Sequence, residues 1–226
     1  MTTEGIENST SRILIVDDHP LFREGLQQMI NRESGWSVCG AAADIEEALL
    51  LTKKTKPNLV VVDISLGGQS GIELIKTLKA DDASLQVLVV SMHDESLYAE
   101  RALRAGAMGY VMKHELPNTV MLAIRRVLAG EMYLSGGMAT TLVKKLMHGG
   151  DEPLESSISK LSDREIEVFR LLGCGMGSRK IAKELNLTIQ TINNFRARIK
   201  EKLAIKDSSE LILQAIHWVQ EQAKKQ

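Results

Sequence analysis

Cysteine is scarce in this chain: Cys39 and Cys174 are the only two in 226 residues, and they stand far apart. Their spacing fits neither a metal-ligand pair nor a redox couple, and it rules out a disulfide framework. Both are expected to be free core thiols. Long apolar runs are also missing. Leu59–Val62 is among the longest aliphatic stretches, and a bilayer crossing takes about 20 residues. The N-terminal segment MTTEGIENSTS carries two acids and no apolar centre, so no export signal is expected there. Internal repeats and low-complexity tracts are absent, which removes solenoid and fibrous architectures. The remaining expectation is a cytoplasmic protein long enough for two small domains, with no membrane partner.

Net charge is −1, but it is unevenly distributed. Residues 158–226 hold 13 Lys/Arg against 8 Asp/Glu, which leaves 15 against 21 before them, so the two parts carry +5 and −6. Any nucleic-acid contact is therefore expected at the C-terminal end.

From Arg12 to about residue 130, apolar β-rich runs alternate with amphipathic stretches. RILIV precedes LFREGLQQMI, WSVCGAA precedes IEEALLLTKK, and NLVVVD precedes GIELIKTLK. QVLVVS then precedes LYAERALRA, and GYVMK precedes LPNTVMLAIRRVL. Continuous apolar strands separated by single helices predict an α/β unit with a doubly wound five-stranded parallel sheet, because each parallel connection must cross over. Residues 131–157 combine Gly pairs with an acidic, Pro-containing segment and read as a linker with one short helix, Ala139–Met147. Residues 158–226 are patterned as four helices, a smaller all-α domain.

In doubly wound sheets, chemistry lies beyond the carboxyl ends of the strands. Those positions hold Asp17 and Asp18, then Asp63, Ser91 and Lys113. Singly, each could be a turn or capping residue. Together they bring three carboxylates, a hydroxyl and an amine to one edge. Clustered carboxylates repel unless a hard cation lies between them, and oxygen ligands suit Mg²⁺. A carboxylate beside such a cation can attack a phosphoryl group and form an acyl phosphate. The lysine would stabilise the transferring oxygens, and the serine would hydrogen-bond the product.

This arrangement, over residues 12–130, resembles the flavodoxin-like receiver domain of two-component response regulators. The resemblance implies that Asp63 accepts a phosphoryl group from a phosphohistidine on a sensor histidine kinase and later loses it by self-hydrolysis. It also implies that Asp18 and Asp63 ligate Mg²⁺ with the Ser65 backbone carbonyl, while Asp17 acts through water. Ser91 would swing to the phosphate, Lys113 would pair with it, and Tyr110 would turn inward behind Ser91. Taken alone, Tyr110 reads as a half-buried strand aromatic, and His93 as a solvated loop histidine near the site. The sequence departs from the family at Gly67, where proline is usual. Gly67-Gly68 permits positive φ and is expected to loosen the loop.

On a helical wheel, Ile189, Ile192, Phe195, Ile199 and Leu203 fall in one arc, expected to be buried. Gln190, Asn194, Ala197 and Glu201 face the other way, flanked by Asn193, Arg198 and Lys200. Amides and cations facing outward suit a major groove. Arg179 and Lys180 begin the preceding helix, where a phosphate is favoured. A solvated bundle with an ordinary charged face has the same wheel.

The segment LSDREIEVFRLLGCGMGSRKIAKELNLTIQTINNFRARIKEKL resembles the LuxR-type (NarL-like) helix-turn-helix. The match rests on Leu161-Ser162, Arg164-Glu165, Gly175, Ile181-Ala182, Leu185, Leu187, Thr191 and Lys202-Leu203. It implies double-stranded DNA as partner, the third helix in the groove with Thr191 near its start, and homodimerisation through the fourth. Asn193, Phe195 and Ala197 stand where the family often has a basic residue, histidine and a basic residue. Fewer cations reduce the salt-dependent part of binding.

Three rivals are weaker. A haloacid-dehalogenase phosphatase needs a second aspartate two residues after the first, where Ser65 stands. An autoinducer-binding regulator would not place a carboxylate cluster in its N-terminal half. A receiver whose third helix engages a protein instead of DNA shares the motifs and differs only in that helix's partner.

Overall fold

The computed structural model describes residues 10–93, 95–140, 143, 158 and 160–224. Most of the expected 139–147 helix and the rest of the 131–157 linker beyond residue 140, Val143 apart, lie outside the described residues. The chain forms two compact units, Met1–Leu146 and Met147–Gln226.

The first unit runs β1(Ser11–Val16), α1(Pro20–Arg32), β2(Trp36–Ala42), α2(Ile45–Thr55), β3(Leu59–Val62), β4(Ser65–Leu66), β5(Gln69–Ser70), α3(Gly71–Asp81), β6(Gln86–Ser91), α4(Glu95–Arg104), β7(Gly109–Met112) and α5(Pro117–Leu128). Five strands form the expected sheet, in the order β2-β1-β3-β6-β7, and every pair is parallel. Ile13–Val16, Leu59–Val62 and Val87–Val90 are buried throughout, because helices cover both faces. On one face Ile13, Ile15, Val61 and Val90 pack with Leu26 and Ile30 of α1 and Ile124 and Val127 of α5. Proline opens both α1 and α5, where its missing N–H costs nothing. Strand order reverses between β1 and β3, so their carboxyl ends border a crevice.

Three expectations change here. Gly67-Gly68 does not loosen the loop. With φ of 54° and 94°, the two glycines form a two-residue turn joining β4 to β5 in an antiparallel hairpin, with Ser65 opposite Ser70 and Leu66 opposite Gln69. Turns with both central φ positive match strand twist and favour glycine. Neither cysteine is a core thiol. Cys39 is half-buried with its Sγ donating to Thr55 Oγ1, and Cys174 is exposed at the end of a helix. The hydrophobic arc of the third C-terminal helix is narrower than the wheel indicates: Ile192 and Ile199 are fully buried, Phe195 and Leu203 half-buried, and Ile189 is 45% exposed. Ile189 occupies the first helical position, a turn before burial begins.

The second unit contains α6(Asp163–Gly173), α7(Ser178–Glu184), α8(Ile189–Lys202) and α9(Ser208–Lys224). Phe169 and Trp218, with ring centres 5.6 Å apart, join α6 to α9. Ser162 and Glu165 form a reciprocal capping box at the start of α6. Glu165 is 2% exposed and also receives the Lys202 ammonium at 2.6 Å, which pins the start of α6 to the end of α8. Burial alone would push its carboxyl up. The Lys202 hydrogen bond and those from the Ser162 N–H and hydroxyl outweigh it, and the acid titrates below its usual 4.5.

A depressed folded-state value means that this stabilisation is complete above pH 4.5 and lost as the pH falls through the lower folded value. Lys202→Met strands a buried carboxylate and should destabilise the second unit at pH 7 by about 1–3 kcal/mol. The difference from wild type should shrink as the pH is lowered below 4.5. Urea unfolding of both proteins at pH 7 and pH 3.5 checks this, and an equal difference at both would contradict it.

Candidate functional site

The carboxyl ends of β1, β3, β6 and β7 deliver Asp17, Asp63, Ser91 and Lys113 to one edge, and Asp18 follows Asp17. Asp17 and Asp63 are each 2% exposed and Ser91 is fully buried. Lys113, itself 4% exposed, places its ammonium 2.6 Å from both Asp17 Oδ2 and Asp63 Oδ2. The Phe22 ring centre lies 4.7 Å from this ammonium. One cation thus neutralises part of a buried acid pair whose members would otherwise repel. Burial raises the Asp17 pKa above its usual 3.8, and the Asp63 charge adds to this. Lys113 and the His19 N–H pull the other way without cancelling it.

Two carboxylate oxygens in the cluster are buried without a hydrogen-bond partner, Asp18 Oδ1 and Asp63 Oδ1. The second oxygen of each acid is engaged: Asp63 Oδ2 by Lys113 and Asp18 Oδ2 by the Gly67 N–H at 2.9 Å. Buried oxygens held in this way meet the requirement for a cation, since burying bare anionic oxygens is costly. Ligand atoms of Asp17, Asp18, His19 and Asp63 all lie within 4.8 Å of one another. The oxygen donors among them, from Asp17, Asp18 and Asp63, fit Mg²⁺. Ser65, two residues past Asp63, is half-buried in β4.

Three further residues shape the site, and residue type and strand position alone did not single them out. His19 Nδ1 lies 3.2 Å from Asp17 Oδ1 and 2.8 Å from Asp18 Oδ1, the latter without hydrogen-bond geometry. Its signal was adjacency to the acid pair. Arg23, one turn into α1, donates to the Asp17 backbone carbonyl. Gly71 starts α3 against the loop that follows Asp63, donating to the Ile64 carbonyl at 2.7 Å. A Cβ there would lie 1.9 Å from the Asp63 carbonyl oxygen. Only glycine lets α3 begin so close to Asp63.

Tyr110 is fully buried, with its hydroxyl donating to the His93 carbonyl at 2.8 Å. It is thus not the half-buried strand aromatic its sequence suggests. His93 is not simply solvated either: its ring packs on Tyr98, with centres 4.8 Å apart. The His93 N–H also donates to Ser91 Oγ at 3.3 Å, so Ser91 and Tyr110 are joined through one loop residue.

In the second unit, Gln190, Asn193, Asn194, Arg198, Arg179 and Lys180 are exposed, while Thr191 and Lys200 are half-buried. The Gln190 amide donates to Asn194 Oδ1 at 3.3 Å, so the two outward amides form one ridge along α8. Thr191 is turned to the N-cap, where its hydroxyl lies 2.8 Å from Thr188 Oγ1. Arg196 donates to Ser178 Oγ at 2.8 Å, tying α8 to the start of α7.

Comparison with known proteins agrees with both units. The family described as response regulator receiver domain matches residues 13–125, and that described as bacterial regulatory proteins, luxR family, matches residues 159–215. The chain is 37% identical to the transcriptional activator protein ExaE of Pseudomonas putida, over 90% of this chain and 95% of that protein. It is 36% identical to the response regulator GacA of Pseudomonas protegens, over 91% and 95%. Among solved structures, a LuxR-family two-component response regulator from Aurantimonas matches with a TM-score of 0.58 and 38% identity, over 62% of this chain and 100% of that one. RcsB from Salmonella enterica, bound to promoter rprA in the presence of phosphomimetic BeF3−, matches with a TM-score of 0.58 and 25% identity, over 91% and 98%.

The raised pKa of Asp17 has a stability consequence. A folded acid that holds its proton more tightly than the unfolded chain opposes folding once ionised. Stability therefore falls as the pH rises from 3.8 through the folded value. Asp17→Asn should raise the unfolding midpoint of the metal-free protein at pH 7 by about 2–4 °C, the shift expected from roughly 1 kcal/mol. The gain should fade toward pH 3.5. Thermal denaturation at the two pH values in the presence of a chelator measures it, and a lower midpoint at pH 7 would contradict the assignment.

Proposed function

Because the chain belongs to the two-component response regulators with a LuxR-type DNA-binding domain, we propose that it is a transcription regulator switched by phosphorylation of Asp63. Its working parts would be a receiver over residues 12–130, a linker over 131–157 and a DNA-binding domain over 158–226. The observation that carries this reading is Asp63 itself, buried, with one oxygen on Lys113 and the other without a partner.

Asp18 and Asp63 would hold Mg²⁺ with the Ser65 carbonyl, and Asp17 would support them. Bound there, the cation supplies charge stabilisation for phosphoryl transfer. The Asp63 carboxylate attacks the phosphorus of a phosphohistidine on a sensor histidine kinase. The P–N bond breaks, the imidazole leaves and takes up a proton, and an acyl phosphate remains. Lys113, already on the acceptor carboxylate, is placed to pair with a phosphoryl oxygen. Ser91 Oγ accepts from His93 and keeps its own hydroxyl hydrogen to donate to the phosphate. Since the His93 carbonyl holds Tyr110, movement of Ser91 would pass to Tyr110 and to the α4 and α5 surface, the element through which a homodimer would be favoured. Hydrolysis of the acyl phosphate resets the switch. This is self-directed chemistry, not turnover of an external substrate.

For DNA, the exposed ridge Gln190–Asn194 with Asn193 would read bases, while Arg179, Lys180, Arg198 and Lys200 would meet phosphates and Thr191 would support the helix start. No described helix is long and apolar enough to cross a membrane; a DNA-directed role would place the protein in the cytoplasm. Engagement of a protein by α8 is the second reading. It is favoured by the uncharged Asn193 and Ala197 on the exposed face.

Two experiments test this. Mg²⁺ with beryllofluoride or a small phosphodonor should promote dimerisation and tighten binding to the selected operator in wild type, with no response from Asp63→Asn. A wild-type protein that ignores the phosphodonor and matches Asp63→Asn in affinity would sink the switch. Asn194→Ala should weaken operator binding by about 1–3 kcal/mol, one base contact, while leaving nonspecific binding nearly unchanged. If neither Asn193→Ala nor Asn194→Ala alters operator affinity at fixed salt, the protein-partner reading gains.

A further inference from the structure

The Gly-Gly turn approaches the acid cluster at one point, where the Gly67 N–H donates to Asp18 Oδ2 at 2.9 Å. This bond joins residues 49 positions apart and leaves Asp18 Oδ1 as the buried oxygen with no hydrogen-bond partner. Two features of residue 67 make it possible. The residue must have a backbone N–H, and it must take a φ of 54°. Proline has neither, since its ring removes the donor and fixes φ near −65°. Most other side chains adopt this conformation only with strain, asparagine being the tolerated exception.

We infer that Gly67 is a positioning residue for divalent-cation binding. Its amide fixes the Asp18 carboxylate so that Oδ1 stays available to the cation alongside Asp63 Oδ1. Held in the same way, Asp63 has its second oxygen on Lys113. The two oxygens that lack a hydrogen-bond partner are thus presented by two different anchors, one a side-chain cation and one a backbone amide, with His19 Nδ1 2.8 Å from the Asp18 oxygen. A ligand already fixed in the metal-free protein does not lose rotational freedom when the ion arrives, and this strengthens binding. The hairpin is then part of the cation site and not merely a connection to α3. This inference rests on the proposed metal-assisted acceptor site and adds a residue to it.

The test uses the full chain and Mn²⁺, followed by the electron paramagnetic resonance signal of the free ion. Gly67→Pro should bind Mn²⁺ about tenfold more weakly than wild type, the worth of one hydrogen bond to a charged group. Gly67→Asn, which keeps the N–H and tolerates the positive φ, should stay within about twofold of wild type. A merely structural role would not separate the two variants in this way. Wild-type affinity in Gly67→Pro, or equal weakness in Gly67→Asn, overturns the inference.

Amide hydrogen exchange gives a measurement independent of how Gly67→Pro folds. The Gly67 amide should exchange more slowly in wild type than in Asp18→Ala, and equal rates would overturn the inference. A wild-type protein that binds no Mn²⁺ refutes the metal-assisted site itself. In that event the exchange comparison still decides whether Gly67 holds Asp18.

Discussion

The first unit is organised around one ammonium shared by two buried carboxylates. Lys113 lies 2.6 Å from both Asp17 and Asp63, and each partner is almost wholly removed from water. Such a group is stable only when opposite charge is close and well placed. The constraint propagates outward. β7 must end where β1 and β3 end, which the parallel pairing of the sheet secures. Phe22 must lie beneath the ammonium, which α1 secures by starting immediately after the acid pair. One positive charge against two buried negative ones leaves a deficit, and a site of that charge is suited to accept a divalent cation.

Backbone does as much as side chain to define the surroundings of Asp63. Gly71 allows α3 to begin in contact with the Asp63 carbonyl, so the loop cannot move away without displacing a helix. Gly67 turns the hairpin back toward Asp18. Between them, Asp63 is held in a short, tightly connected stretch. Ser91, His93 and Tyr110 form a second path leading away from it, through the His93 backbone.

In the second unit one face of α8 is left exposed while the rest of the helix is tied to its neighbours. Glu165–Lys202 anchors the far end of α8 and Arg196–Ser178 its middle. The fully buried pair Ile192 and Ile199 faces the bundle, and the amide ridge is left outward. Rigid support of this kind is what precise recognition by a side chain requires.

Local patterning accounts for the alternation of five sheet strands and five helices in the first unit and for the four helices of the second. These follow from local periodicity, from proline at two helix starts and from side-chain caps such as Asp44 and Thr188. The same patterning brings Asp17, Asp18, Asp63, Ser91 and Lys113 to one edge, because every parallel strand of such a sheet points its carboxyl end the same way. How those groups pair depends on long-range packing. His19 meets Lys113 across 94 positions, and Lys113 meets Asp63 across 50, separations at which no local rule specifies a contact. The Gly-Gly hairpin, the burial of Tyr110 and the exposure of Ile189 were hidden for the same reason. A glycine states which φ it permits but not what its amide will reach. Likewise, a periodic apolar position marks a face of a helix but not where along that face the packing begins.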